Sequence, residues 1–212
     1  MNKIYIFSGL GVDKRVFATI DFSGLNISFV DWIDPLKNET FESYAERISK
    51  DFEKHSILIG LSFGGMLAVE VSKIIPVKNV ILIASAKNKN ELPKWFLIAG
   101  KLKLNRIVPA SLLKTTNFVT NWLFGVTTST EKLLLKNIIK HTNPTFLKWA
   151  INQIVNWKNI DIPQNCIHIH GTKDRILPSK HLKVDYTIKN GSHFMTVNKA
   201  KEIERIIKKL CS

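Results

Sequence analysis

The sequence contains little cysteine and lacks any long hydrophobic run. Its 212 residues include two cysteines, Cys166 and Cys211. They provide neither a disulfide framework nor a cluster of metal ligands, so we expect a protein of the reducing cytoplasm. No run of 18 apolar residues is present, and we expect no membrane-spanning helix. The apolar stretch Ile4–Phe7 is too short to be the core of a signal peptide.

Acidic residues are also scarce. The chain has 31 Lys and Arg against 17 Asp and Glu, which gives a net charge of +14. Such a charge suggests nucleic acid as a first candidate partner. However, residues 86–160 hold twelve basic and two acidic residues, a net charge of +10. The lysines of this segment are spread along helix-like stretches without a recognised binding motif, so we expect no nucleic-acid partner.

Short apolar runs alternate with amphipathic stretches along most of the chain. Six runs predict strands, and most are apolar throughout, as in a parallel sheet with both faces covered. The last run alternates apolar and polar residues, which is typical of an edge strand. Amphipathic stretches at Thr40–Lys54 and Lys199–Leu210 predict helices. The pattern predicts an α/β fold with right-handed crossovers. The six predicted strands are Lys3–Phe7, Ile27–Val30, Ser56–Ile59, Asn79–Ala84, Cys166–His170 and Val184–Ile188.

The alternation of predicted strands and helices stops at residues 86–160, a segment of about 75 residues without a convincing strand. They hold 8 of the 20 aromatic residues. We interpret this segment as a helical cap inserted into a core formed by residues 1–85 and 161–212. Some of its aromatic side chains should face the strand ends that it covers, and Trp95 and Trp122 are candidates for a substrate pocket there, together with Gly9 of the core. The predicted cap helices are Lys94–Leu104, Leu112–Phe124, Glu131–His141 and Pro144–Trp157.

The most informative motif is Gly60-Leu61-Ser62-Phe63-Gly64-Gly65, which follows a predicted strand and precedes an apolar helix-like stretch. This G-x-S-x-G pattern is typical of a serine on a sharp strand-to-helix turn, where glycines remove Cβ atoms that would clash. The following helix N-terminus presents backbone N–H groups and a partial positive charge. Ser62 is therefore a candidate nucleophile.

A serine nucleophile needs a base, and the base needs an orienting carboxylate. Asp174 follows the strand Cys166–His170, at a strand end where open α/β sheets bind ligands. His193 comes just after the last predicted strand. We therefore expect the catalytic order Ser62, Asp174, His193. By contrast, His168 and His170 have strand spacing, and we expect them to pack or form hydrogen bonds within the sheet.

An oxyanion hole requires two N–H donors near the nucleophile. One should be the backbone N–H of Phe63, which follows Ser62. The second should come from the loop Ser8-Gly9-Leu10-Gly11 after the first strand, where the N–H of Leu10 is our choice. An ordinary glycine turn is the simpler interpretation of that loop taken alone, but the triad candidates favour the catalytic one.

With these motifs the chain resembles the α/β-hydrolase superfamily outside residues 86–160. The resemblance implies Ser62 as nucleophile, His193 as general base and then acid, Asp174 as its orienter, and a cap inserted after the strand that ends near Ala84. Members of the family often have His-Gly where this chain has Ser8-Gly9. The first two strands of the usual eight are missing, so we expect a minimal six-stranded, all-parallel sheet. The resemblance rests on four segments: Phe7-Ser8-Gly9-Leu10-Gly11, Gly60-Leu61-Ser62-Phe63-Gly64-Gly65, Ile169-His170-Gly171-Thr172-Lys173-Asp174 and Gly191-Ser192-His193.

The expected function is hydrolysis of a small-molecule carboxylic ester or thioester through an acyl-enzyme, without a metal or organic cofactor. The basic cap would suit an anionic or carrier-bound acyl group, such as an acyl-CoA or an acyl carrier protein. The same triad would also support amidase, carbon–carbon hydrolase or lyase chemistry. A ligand-binding protein with low turnover is a further alternative.

Overall fold

A central parallel sheet organises the chain in the computed structural model, which describes residues 1–103 and 115–211. All strand pairs are parallel, and the strand order is β2-β1-β3-β4-β5-β6. The predicted six-stranded parallel α/β fold is thereby confirmed, with β6 at one edge. The strands are β1 (Ile4–Phe7), β2 (Ile27–Val30), β3 (Ser56–Leu61), β4 (Val77–Ile83), β5 (Cys166–Gly171) and β6 (Tyr186–Ile188).

Helices cover both faces of the sheet. The described helices of the core are α1 (Phe41–Ile48), α2 (Phe63–Ser72), α7 (Met195–Asn198) and α8 (Ala200–Cys211). Those between β4 and β5 are α3 (Lys94–Lys101), α4 (Phe118–Phe124), α5 (Ser129–His141) and α6 (Pro144–Val155). None of the described helices combines the length and the hydropathy needed to cross a bilayer.

The two faces of the sheet bury two separate hydrophobic cores, because successive strand side chains point to opposite sides. On β1, Ile4 and Ile6 pack into the core that includes Ile203 and Ile207 of α8. Tyr5 and Phe7 pack into the other core, with α1 and α2. α2 is buried along its length since it lies between the sheet and the helices outside it. This explains why its sequence is apolar nearly all round, with Glu70 and Ser72 as its polar residues.

Four predicted elements outside residues 86–160 have boundaries that differ by two or more residues in the structure. The third strand continues two residues past its predicted end, to Leu61. The helix predicted over Thr40–Lys54 ends at Ile48, and Phe52 instead stacks on Tyr5 with ring centroids 3.9 Å apart. The last strand is shorter than predicted, because the carboxylate of Asp185 accepts the backbone N–H of His168 at 2.8 Å in place of a backbone carbonyl. The fourth strand begins two residues early, at Val77.

The remaining differences concern the segment between β4 and β5. Its last two helices begin and end within two residues of the predicted positions. Predicted cap residues 104 and 112–114 lie outside the described residues. α3 packs closely against α6, since a Cβ on Gly100 would lie 2.3 Å from the carbonyl oxygen of Val155.

The register of the sheet brings four loops to one edge. Phe7 is level with Gly60, and Gly60 with Leu82. Further along, Ile83 is level with Ile169, and Gly171 with Ile188. Because the carboxyl ends of parallel strands share an edge, the loops after β1, β3, β5 and β6 converge there. These loops carry Ser8–Gly11, Ser62, Asp174 and His193.

Candidate active site

Ser62 occupies a strained turn between β3 and α2. Its backbone has φ 53° and ψ −119°, a region that non-glycine residues rarely adopt. Three contacts hold it there: its N–H donates to the carbonyl of Ile83 at 2.9 Å, and its carbonyl accepts the Ser85 hydroxyl at 2.6 Å and the N–H of Gly65 at 2.9 Å. The turn therefore lifts the Ser62 hydroxyl out of the sheet at the N-terminus of α2.

The glycines of this turn allow backbone segments to approach closely. A Cβ on Gly60 would lie 2.4 Å from the carbonyl oxygen of Gly64. A Cβ on Gly64 would lie 2.2 Å from the carbonyl oxygen of Ser8, in the loop after β1. Any side chain at these positions would push the nucleophile turn away from the sheet or from that loop.

His193 connects Ser62 to Asp174. Its Nε2 lies 2.9 Å from the Ser62 hydroxyl oxygen, and its Nδ1 lies 2.7 Å from Oδ2 of Asp174. A carboxylate oxygen only accepts hydrogen bonds, so Nδ1 carries the proton and Nε2 is free to accept from the serine hydroxyl. The structure thus brings together the three residues selected from the sequence, with His193 and Asp174 both about 5% exposed.

The carboxylate of Asp174 is held by its own loop. Oδ1 accepts the backbone N–H groups of Ile176 and Leu177 at 2.9 and 2.8 Å. Burial acts to raise the pKa of Asp174, but the interaction with His193, supported by His170 and the N–H of Leu177, holds that pKa below its ordinary value. Asp174 is therefore ionised near neutral pH and can orient and stabilise the imidazole.

The loop after β1 lies beside the serine. A Cβ on Gly9 would be 3.3 Å from the Cβ of Ser62, so this loop tolerates no larger residue without a shift. The Ser8 hydroxyl donates to the carbonyl of Val12 at 2.8 Å and so closes the loop on itself. Leu10 and Phe63, the residues predicted to supply the oxyanion donors, both line the cavity at Ser62.

That cavity has a volume of about 120 Å³ and a mostly apolar lining. Of the three residues proposed for the pocket, Gly9 is among those that line this cavity, whereas Trp95 and Trp122 are not. Trp95 is 59% exposed and packs its ring edge against Phe96, while Trp122 is 49% exposed and lies under the guanidinium of Arg175. Side chains from the inserted segment that do line the cavity are Leu92, Phe96, Phe124 and Ile154.

The sequence carried a partial signal for these lining residues. Phe96 and Gly100 are four residues apart and lie on one face of α3, the face that packs against Val155. Trp95 lies on a neighbouring face, so its size alone was misleading. The position of Phe124 follows from its neighbour Gly125, whose missing side chain lets the chain pack against Ser192.

α4 contacts both loops that carry the candidate base and its orienter. The N–H of Phe194 donates to the carbonyl of Phe124 at 3.2 Å, and the Phe124 ring lies edge-on to His193. Arg175, next to Asp174, donates to the carbonyl of Trp122 at 2.6 Å. Within the described residues, no group of three or more His, Cys, Asp and Glu side chains is arranged to hold a metal ion.

Comparison with known proteins supports the fold. No protein-family model matches the sequence, and no curated protein matches it significantly. Among solved structures, an esterase from Thermogutta terrifontis superposes with a TM-score of 0.70 at 13% identity, covering 99% of this chain and 89% of that one. MenH from S. aureus superposes with a TM-score of 0.70 at 15% identity, and the match covers 98% of this chain and 92% of that one. A lipase-esterase related protein from Clostridium acetobutylicum superposes with a TM-score of 0.68 at 17% identity, and the match covers 98% of this chain and 93% of that one. The chain therefore has the α/β-hydrolase fold.

Proposed function

We propose that the protein is a serine hydrolase that cleaves a carboxylic ester or thioester through an acyl-enzyme. One observation carries the proposal: an unbroken chain of contacts from the Ser62 hydroxyl through His193 to Asp174, at 2.9 and 2.7 Å. These distances match what a nucleophile, a general base and an orienting carboxylate require. The similarity to esterases and other hydrolases in fold is consistent with this chemistry but does not specify the bond cleaved.

The mechanism follows from the roles of the three side chains. The Ser62 oxygen attacks the acyl carbonyl carbon while Nε2 of His193 takes the hydroxyl proton. The negative charge on the carbonyl oxygen would be stabilised by the N–H groups of Leu10 and Phe63. His193 then passes its proton to the departing alcohol or thiol, which leaves the acyl group on Ser62. Water attacks the acyl-enzyme in the same way and regenerates the serine.

The cavity suggests a short apolar acyl group. Its volume is small, about 120 Å³, and its lining is mostly apolar. Phe96 and Phe124 bring aromatic rings to its wall from the inserted segment, and Met66 and Ile154 add aliphatic surface. We infer that residues 86–160 act as a cap whose inner surface sets the acyl length.

A cationic groove beside the cap favours an anionic leaving group. It has a volume of about 510 Å³ and borders Gly125 and Ser192, and none of the described residues that line it is acidic. Its cationic residues are Lys132, Lys173, Arg175 and Lys199.

Most of these cations are not neutralised locally. Among the described carboxylates, none forms an ion pair with Lys132, Lys173 or Arg175, and Lys199 has only a contact of 3.6 Å with Glu202. Clustered uncompensated charge of one sign attracts ligands of the opposite sign. The proposal therefore extends to an anionic or carrier-bound acyl thioester, with the apolar acyl group at Ser62 and its anionic carrier in the groove.

The first experiment tests the chemistry. Wild type and Ser62→Ala are incubated with a fluorophosphonate and assayed on p-nitrophenyl esters of increasing acyl length. We expect labelling and turnover in wild type, preference for short chains, and neither labelling nor turnover in Ser62→Ala. An unlabelled wild-type protein would instead support a ligand-binding role. Labelling without ester turnover would direct the search to amides and carbon–carbon bonds.

The second experiment tests the anionic substrate. We compare kcat/KM for an acyl-CoA and a neutral ester between low and physiological salt, in wild type and in Lys132→Ala/Lys173→Ala. The matched control is Lys50→Ala/Lys54→Ala, which removes two lysines that do not line the groove. At low salt, we expect kcat/KM for the acyl-CoA to fall about tenfold in Lys132→Ala/Lys173→Ala and to stay unchanged in the control. Salt-insensitive rates with neutral esters preferred throughout would contradict this extension.

A further inference from the structure

We propose that His170 is a positioning residue of the catalytic site, which holds the loop of Asp174 through its Nε2–H group. The proposal rests on the serine-hydrolase function proposed above. His170 lies one residue before the end of β5, with no exposed surface, and it does not line the cavity at Ser62. It therefore acts on the reaction only through other residues.

The contacts of His170 connect the sheet to the loop of the orienting carboxylate. Its Nε2 lies 2.8 Å from the carbonyl oxygen of Leu177 and 3.4 Å from Oδ2 of Asp174. Its Nδ1 lies 3.1 Å from Nε2 of His168, which is equally buried two residues earlier on the same face of the strand.

These distances assign the protons of both rings. The oxygens of Leu177 and Asp174 only accept, so Nε2 of His170 carries hydrogen. Burial lowers the pKa of His170, and burial together with His170 lowers that of His168 to about 3. Both rings are neutral near pH 7 with one N–H each, so Nδ1 of His170 must accept from Nε2–H of His168.

This assignment gives His170 a defined effect on Asp174. Its Nε2–H holds the Leu177 carbonyl, while the Leu177 N–H holds Oδ1 of Asp174 at 2.8 Å. The same N–H also faces Oδ2, the oxygen that His193 uses at 2.7 Å. Other charged or titratable groups that act on the two rings are His193 on His170 and Lys87 on His168. Loss of the Nε2–H would release the loop and let the carboxylate shift relative to the imidazole of His193.

Two similar substitutions separate this role from general stability. In His170→Gln the amide nitrogen reaches the former position of Nε2, whereas in His170→Asn the shorter amide reaches only that of Nδ1. We expect the Gln variant to keep kcat within about threefold. We expect the Asn variant to lose between ten- and a hundredfold in kcat with KM nearly unchanged, because small displacements of catalytic groups have effects of this size. Unfolding temperatures are measured first, so that both variants are assayed while folded. Equal kcat values for the two folded variants would overturn the proposal.

A second measurement needs neither a variant nor a substrate. Imidazole ¹⁵N chemical shifts of wild-type His170 at pH 7 report which ring nitrogen carries the proton. We expect a protonated Nε2 and a bare Nδ1, and the Nδ1–H tautomer or an imidazolium would overturn the proposal. Since this result is independent of turnover, failure of the hydrolase function and failure of the His170 assignment can be told apart.

Discussion

The substitution Gly64→Ala would test whether the nucleophile turn and the loop after β1 form one unit. A Cβ on Gly64 would lie 2.2 Å from the carbonyl oxygen of Ser8, whereas ordinary contacts begin at 3.4 Å. The loop and the turn must therefore separate by about 1.2 Å. Such a shift would take the N–H of Leu10 out of hydrogen-bond range of a carbonyl oxygen held by Ser62. Loss of one oxyanion donor typically costs about 10²–10³ in kcat, or about 2.7–4 kcal/mol.

The assay is turnover of the best p-nitrophenyl ester, together with the rate of fluorophosphonate labelling at Ser62. The matched control is Gly24→Ala, because Gly24 has φ +80° and no atom within 4 Å of an added Cβ. This control should lose about 1 kcal/mol of stability through backbone strain and keep its kcat. A folded Gly64→Ala protein with kcat within threefold of wild type would refute the coupling of turn and loop.

Three further predictions concern buried polar groups. Asp174→Asn should lower kcat by about 10⁴ with little change in unfolding temperature, and a loss below tenfold would contradict its role. The pKa of His168 is about 3 in the folded state, below the unfolded value, so its contribution to stability is complete above about pH 6.5 and is lost as the pH falls. The free energy of unfolding, measured with urea, should therefore fall by about 1.4 kcal/mol for each unit that the pH is lowered near pH 5. An equal pH dependence in His168→Gln would exclude His168 as its source. Finally, Trp157→Phe removes the indole N–H that donates to buried Glu70 at 2.7 Å, and should lower the free energy of unfolding by about 1–3 kcal/mol. The control Trp95→Phe, at an exposed position, should lower it by less than about 0.5 kcal/mol. Equal losses of stability in the two variants would contradict this role of the indole N–H.

The sequence was sufficient for the fold and for the selection of the triad candidates. Strand runs that are apolar throughout indicate a parallel sheet, and in such a sheet residues that follow strands meet at one edge. This rule alone selected Asp174 over Asp161 and Asp185, and it selected His193. It could be applied to the sequence because the relevant information is local: a strand, its end, and the residues that come next.

The prediction was least successful where a helix had to be oriented. Trp95 and Trp122 are large and apolar, but which face of a helix points inward depends on what it packs against. α3 is oriented by the contact of Gly100 with Val155, which turns Phe96 toward the cavity. α4 is oriented by Arg175, which covers Trp122 on the outside. Neither contact joins residues that are close in the sequence.

The sequence by itself determined the order of strands and helices, the strained turn at Ser62 and the positions of the loops that follow the strands. These depend on the periodicity of side chains and on the backbone preferences of glycine, which act over a few residues. Only the tertiary structure decided which rings line the cavity, which four cations line one groove, and how the rings of His168 and His170 contact each other. Those properties come from distances between segments far apart in the chain, which only packing sets.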